Sequence, residues 1–107
     1  MNPAAPSPTL SVLVPAFNEA DNIGPFLARL VPVMERLGRP FEIVLIDDGS
    51  SDQTWVRWMA ASAQDGRLRG VRFSRNFGKE IAIAAALDHA RGDAAILIDA
   101  DLQHPPE

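Results

Sequence analysis

A chain of 107 residues has room for one domain, and its 47% apolar and 22% charged content is that of an ordinary globular protein. A net charge of −4 removes the electrostatic case for nucleic-acid binding, and the absence of cysteine removes disulfides and thiolate metal sites. No apolar run approaches the ~20 residues of a membrane span, and the amino terminus has neither the basic region nor the apolar stretch of a secretory signal.

Residues 1–9, MNPAAPSPT, carry three prolines among small and polar residues, and are expected to be a disordered lead to a domain over 10–107. LSVLVP (10–15) is a valine-rich run that predicts a strand buried on both faces. Ile23, Phe26, Leu27, Leu30, Met34 and Leu37 then recur at helical spacing. Asp21 or Asn22 is the expected cap, Pro25 fits a first turn, Pro32 should bend the axis, and Gly38 should end the helix. FEIVLI (41–46) predicts a second buried strand. The turn-forming stretch DDGSSDQT leads into a helix over 54–63 that should bury Trp55 and Met59, with Trp58 as a further candidate. GVRFS (70–74) predicts a third strand and RNFGKE a loop. Residues 80–90 form an alanine-rich helix, and AAILI (94–98) a fourth, buried strand.

Strands alternating with helices across connections of this length predict an α/β fold, a parallel sheet with helices on its faces. Ligands of such sheets bind beyond the carboxyl ends of the strands. The segments AFNEAD, DDGSSD, RNFGKE and DADLQ therefore hold the candidate site. Asp99 and Asp101 leave an extended chain on the same side and could hold a hard divalent cation, with Gln103 as a third oxygen donor. The alternative is a solvated turn with Asp99 as a cap. In DDGSSD, Asp47 and Ser51 fit capping roles, and Asp48 is the better candidate to meet a base or ribose. Neither GxGxxG nor GxxxxGK[ST] is present. Arg67, Arg69, Arg72, Arg75 and Lys79 form a basic stretch, mostly a solvated face. Arg75 and Lys79 flank NFG at the same rim as the carboxylates, where they would suit a diphosphate. His89 reads as structural, His104 as a bystander near the carboxylates, and Trp55 with Trp58 as core.

VPAFNEADNI, IVLIDDGSSDQT, SRNFGKEIAIAAALDHARGD and ILIDADLQHPPE together resemble the amino-terminal half of family-2 glycosyltransferases. The polyprenyl-phosphate branch is the most similar, with its bactoprenol glucosyltransferases and dolichyl-phosphate mannosyltransferases. The resemblance implies a Rossmann-like GT-A fold, continued in the family past the fourth strand, and inverting transfer from a nucleotide sugar with Mg²⁺ or Mn²⁺. It implies that Pro15, Ala16 and Glu19 line the base and ribose pocket and that Asp48 contacts the base. Arg75 would lie near the nucleotide, and Asp99, Asp101 and Gln103 would surround the metal and diphosphate. The catalytic base is expected beyond Glu107. UDP-glucose as donor, a polyprenyl phosphate as acceptor and the cytoplasmic membrane face as location are further implications, and self-association of a chain that stops at the fourth strand is expected. Two other readings stay open: a nucleotide-binding module without catalysis, and a Mg²⁺-dependent phosphatase or receiver-like domain built on the acidic turn.

Overall fold

The computed structural model describes residues 8–100. Its elements run β1 (Leu10–Ala16), α1 (Ala20–Leu37), β2 (Phe41–Asp47), α2 (Thr54–Gln64), β3 (Leu68–Arg72), α3 (Lys79–His89) and β4 (Ala94–Leu97). The four strands form one sheet in the order β3-β2-β1-β4, and every pairing is parallel. The expected fold class is therefore the observed one.

The continuous apolar runs of β1 and β2 are explained by their central position. Val12 and Val14 of β1 join Ile43 and Leu45 of β2 on one face, beneath Ile23, Phe26 and Met34 of α1 and Trp58 of α2. Leu13, Val44 and Ile46 point to the other face, against Ala82 and Ala86 of α3. The two alanines stand four residues apart on one side of the helix, and their small side chains let its backbone lie close to the sheet. Helices thus cover both faces, as two-sided burial of a parallel sheet requires.

Several local expectations are corrected. Helix α1 begins at Ala20, so Pro25 lies inside it with Pro32, and the helix runs unbroken through both. Neither Asp21 nor Asn22 caps it. Its carboxyl end is as read: Gly38 takes a left-handed φ of 73° and donates its N–H to Glu35 O (3.1 Å), a conformation glycine adopts without a Cβ penalty. Helix α2 turns Thr54 and Trp58 inward at a spacing of four. Trp58 is fully buried and donates its indole N–H to Arg69 O (2.8 Å), Trp55 is half-buried, and Met59, a turn-fraction further round, is exposed. Strand β3 starts two residues early because pairing with Ile43 begins at Leu68. Strand β4 is not buried. It pairs with β1 alone at the sheet edge, while α3 packs mainly over β1 and β2, and Ala94–Leu97 are all exposed. No helix among the described residues is long and apolar enough to cross a membrane. Of the lead, Thr9 is tied down: its N–H donates to Pro40 O (2.9 Å), and its carbonyl accepts from Asp93 and Ala94.

Candidate functional site

The carboxyl ends of the strands are organised by contacts between loops. Asn18, after β1, sits at a positive φ of 54°, a conformation asparagine tolerates better than most residues. Its N–H donates to Ser50 Oγ (2.8 Å), and its Oδ1 accepts from the backbone of Ser51 (2.9 Å) and Asp52 (3.3 Å). The amino terminus of α1 is capped from the same neighbouring loop. Glu19 N donates to Thr54 Oγ1 (2.8 Å) and Ala20 N to Asp52 Oδ2 (3.2 Å). These bonds satisfy helix-terminal donors that a local cap would otherwise serve. Burial works to raise the pKa of Asp52, but the hydrogen bonds from Thr54 and Ala20 outweigh it and hold the carboxyl below the usual range.

Asp48 fastens the third loop. Its side chain is 4% exposed. One oxygen accepts from Phe77 N (2.8 Å), and the other from Gly78 N (3.1 Å) and Asn76 Nδ2 (3.1 Å). Next to it, Gly49 at φ 75° lies so close to the Arg75–Asn76 backbone that a Cβ would clash with it. Asp47 is fully buried and differs: Oδ1 accepts from Ser50 N (2.9 Å), but Oδ2 accepts no hydrogen bond, and Arg72 Nε stands 3.8 Å away.

A cleft of about 210 Å³ opens among these loops, lined by Pro15, Ala16, Phe17, Glu19, Asp48, Lys79, Ala82 and Asp99. Five sequence-predicted residues thus meet in one place: Pro15, Ala16, Glu19, Asp48 and Asp99. Arg75 is outside it, its guanidinium stacked over the Phe77 ring at 4.2 Å. Asp101, Gln103 and His104 lie outside the described residues. Phe17 and Ala82 were missed. Phe17 falls within the AFNEAD segment but was given no role of its own, and it is exposed at the rim. Lys79, read with Arg75 as a rim base suited to a diphosphate, lines the cleft and holds Asp99 at 3.2 Å to Oδ1 and 3.4 Å to Oδ2. The rest of the basic stretch is neutralised locally: Arg67 pairs with Asp65 and Glu35, and Arg69 with Glu42. His89 ends α3, its ring nitrogen 2.9 Å from Ala85 O.

A metal bound here would draw on Asp99, the described residue whose exposed carboxylate gives the cleft a hard oxygen donor. No group of three metal-ligating side chains occurs among the described residues.

Comparison with known proteins places this architecture. The profile of glycosyl transferase family 2 matches residues 11–107. An uncharacterized glycosyltransferase of Synechocystis is 45% identical over 98 residues, which are 92% of this chain and 31% of that protein. The undecaprenyl-phosphate 4-deoxy-4-formamido-L-arabinose transferase of Edwardsiella ictaluri is 41% identical over 92% of this chain and 30% of its own length. The chain thus spans about a third of the curated relatives it matches. Among solved structures, a mannosyltransferase from Pyrobaculum calidifontis in complex with GDP-Man and Mn²⁺ superposes with a TM-score of 0.71 at 28% identity, covering 94% of this chain and 29% of that one. Glucosyl-3-phosphoglycerate synthase from Mycobacterium tuberculosis, in complex with Mn²⁺, UDP and glucosyl-3-phosphoglycerate, gives 0.70 at 27%, covering 88% and 34%.

Proposed function

The chain belongs to glycosyl transferase family 2, and from that premise we propose that its cleft is the donor site of an inverting glycosyltransferase that moves a sugar from a nucleotide sugar to a polyprenyl phosphate. The observation that carries this is the meeting of Pro15, Ala16, Phe17, Glu19, Asp48, Lys79 and Asp99 beyond the carboxyl ends of a parallel sheet. Pro15, Ala16 and Phe17 offer an apolar wall for a base. Glu19, steadied by a 2.6 Å bond from Asn22 Nδ2, offers acceptor oxygens for ribose hydroxyls. Asp48 meets the base from a position fixed by its three donors in the 76–78 loop. Asp99, with Asp101 and Gln103, would hold Mg²⁺ or Mn²⁺. Such an ion supplies Lewis-acid stabilisation of the diphosphate leaving group.

A phosphate acceptor suits this chemistry, because it is already anionic at neutral pH and needs little help from a base. The name of the Edwardsiella relative supports a polyprenyl phosphate acceptor. UDP-glucose is our first choice of donor, on the motifs RNFGKE and DADLQHPPE. The structural relatives, solved with GDP-Man in one case and UDP in the other, leave the base to experiment. A lipid acceptor places the reaction at a membrane, and we propose its cytoplasmic face.

Calorimetric titration with a panel of UDP- and GDP-sugars, with and without Mn²⁺, tests the donor assignment. Mn²⁺-dependent binding of one sugar nucleotide is expected, and a GDP preference would replace the choice of base alone. Light scattering tests the expected self-association, which the exposed β4 edge supports.

A further inference from the structure

We propose that Lys79 competes with a divalent cation for Asp99 and, once displaced, becomes the residue that binds the donor's diphosphate. The inference rests on the reading of the cleft as a nucleotide-sugar site. Its starting point is the near-equal reach of Nζ to the two Asp99 oxygens, 3.2 and 3.4 Å. An ammonium so placed occupies the approach that a hard cation would use to take both oxygens.

Three features make this a contact that can be exchanged. Both side chains are more than half exposed, 63% for Lys79 and 57% for Asp99, so the pair is worth little in free energy and can be broken at small cost. Lys79 carries its charge on a flexible stem. The root of that stem is fixed: Lys79 is the first residue of α3, and the two residues before it donate their N–H groups to Asp48. The ammonium can therefore swing within the cleft while the backbone stays in place.

The charge of the cleft supplies the reason for an exchange. Among the described residues that line it, Glu19, Asp48 and Asp99 face Lys79 as the one cation, so a diphosphate would meet an excess of negative charge. A cation at Asp99 offsets that excess by its own charge and frees the ammonium to turn toward the phosphates. Lys79 then faces phosphate oxygens as a charge-assisted donor. Nucleotide and cation should bind with strong positive coupling, and Lys79 should carry part of it.

Replacing Lys79 should thus move two affinities in opposite directions. Lys79→Met is expected to bind Mn²⁺ alone roughly two- to fivefold more tightly, since a competing charge is gone. The same variant should bind UDP or GDP in saturating Mn²⁺ on the order of tenfold more weakly. Lys79→Arg should restore most of the nucleotide affinity. Calorimetry with Mn²⁺, and with UDP and GDP in Mn²⁺, reads these values, and an unchanged melting temperature shows that the fold is kept. Mn²⁺ affinity that stays the same or falls in Lys79→Met overturns the competition. Unchanged nucleotide affinity overturns the diphosphate role. If the unsubstituted protein binds neither Mn²⁺ nor a nucleoside diphosphate, the donor-site reading falls and this inference falls with it.

Discussion

Strand β2 carries a buried acid near each end, and the two are treated differently. At the amino end Glu42 is 5% exposed and its carboxylate is saturated: it accepts from Ser11 Oγ (2.6 Å), Arg69 Nε (2.9 Å) and Arg91 N (2.7 Å). Arg69 in turn donates to His89 O (2.6 Å), and Gly92 N donates to Ser11 Oγ (2.8 Å). The network ties β1, β2, β3 and the α3–β4 turn together. At the carboxyl end Asp47 leaves one buried oxygen without a hydrogen bond, and the adjacent cleft exposes the Lys79–Asp99 pair to solvent. One rim of the sheet spends its polar groups on the fold, while the other keeps some of them available. Fully satisfied buried networks specify a structure, and incompletely satisfied ones lie where a ligand can act.

Substitutions along β2 should expose this gradient. Glu42→Ala removes the acceptor of three donors and leaves Arg69 without its counter-charge, and is expected to cost about 3 kcal/mol by denaturant melting. Glu42 also gives the contrast a pH signature. Burial works to raise its pKa, but the hydrogen bonds from Arg69, Ser11 and Arg91, with the charge of Arg69, hold it below the ordinary glutamate value. A carboxyl whose pKa is lower folded than unfolded adds stability above its unfolded pKa and loses it as pH falls through the folded one. The stability gap between the natural chain and Glu42→Gln should therefore be full at neutral pH and close as pH drops below the ordinary glutamate range. A gap that widens on acidification would break the assignment.

Asp48→Ala comes next, with an expected loss of about 2 kcal/mol, because Phe77 N and Gly78 N lose their acceptor. Amide hydrogen exchange should rise at residues 76–78 before it rises in the sheet, and nucleotide binding should weaken with it. The smallest effect is expected for Asp47→Asn, within about 1 kcal/mol. The bond from Ser50 N can be kept, and the charge that is lost faces Arg72 at 3.8 Å without a hydrogen bond. A cost for Asp47→Asn as large as that of Glu42→Ala would erase the distinction between the rims.

The fold was legible because its signals are local. Two apolar runs closed by turn residues, a three-and-four stripe in α1 and a glycine at its end suffice to order the elements. The distribution of polar contacts was not legible, because partners are remote in the chain. Ser11 lies 31 residues from Glu42, and Arg91 lies 49 from it. FEIVLI accordingly read only as a buried strand, with no role for Glu42. The cap of α1 failed for the same reason: local rules offered Asp21 and Asn22, but Thr54 and Asp52 arrive from the next loop. Asp48 read as a ligand contact, and both its oxygens turn out to hold the 76–78 loop as well. Trp58 rather than Met59 faces the sheet because the start of α2 at Thr54 sets the inward side, which composition alone leaves open.

Mapping the amide shifts of the labelled protein on addition of UDP and of GDP, each with Mg²⁺, tests the division of labour between the rims most directly. Shifts are predicted at Ala16, Phe17, Glu19, Asp48, Lys79 and Asp99, with Ser11, Glu42 and Gly92 unmoved. No shifts with either nucleotide, or shifts confined to the Glu42 end of the sheet, would contradict the account.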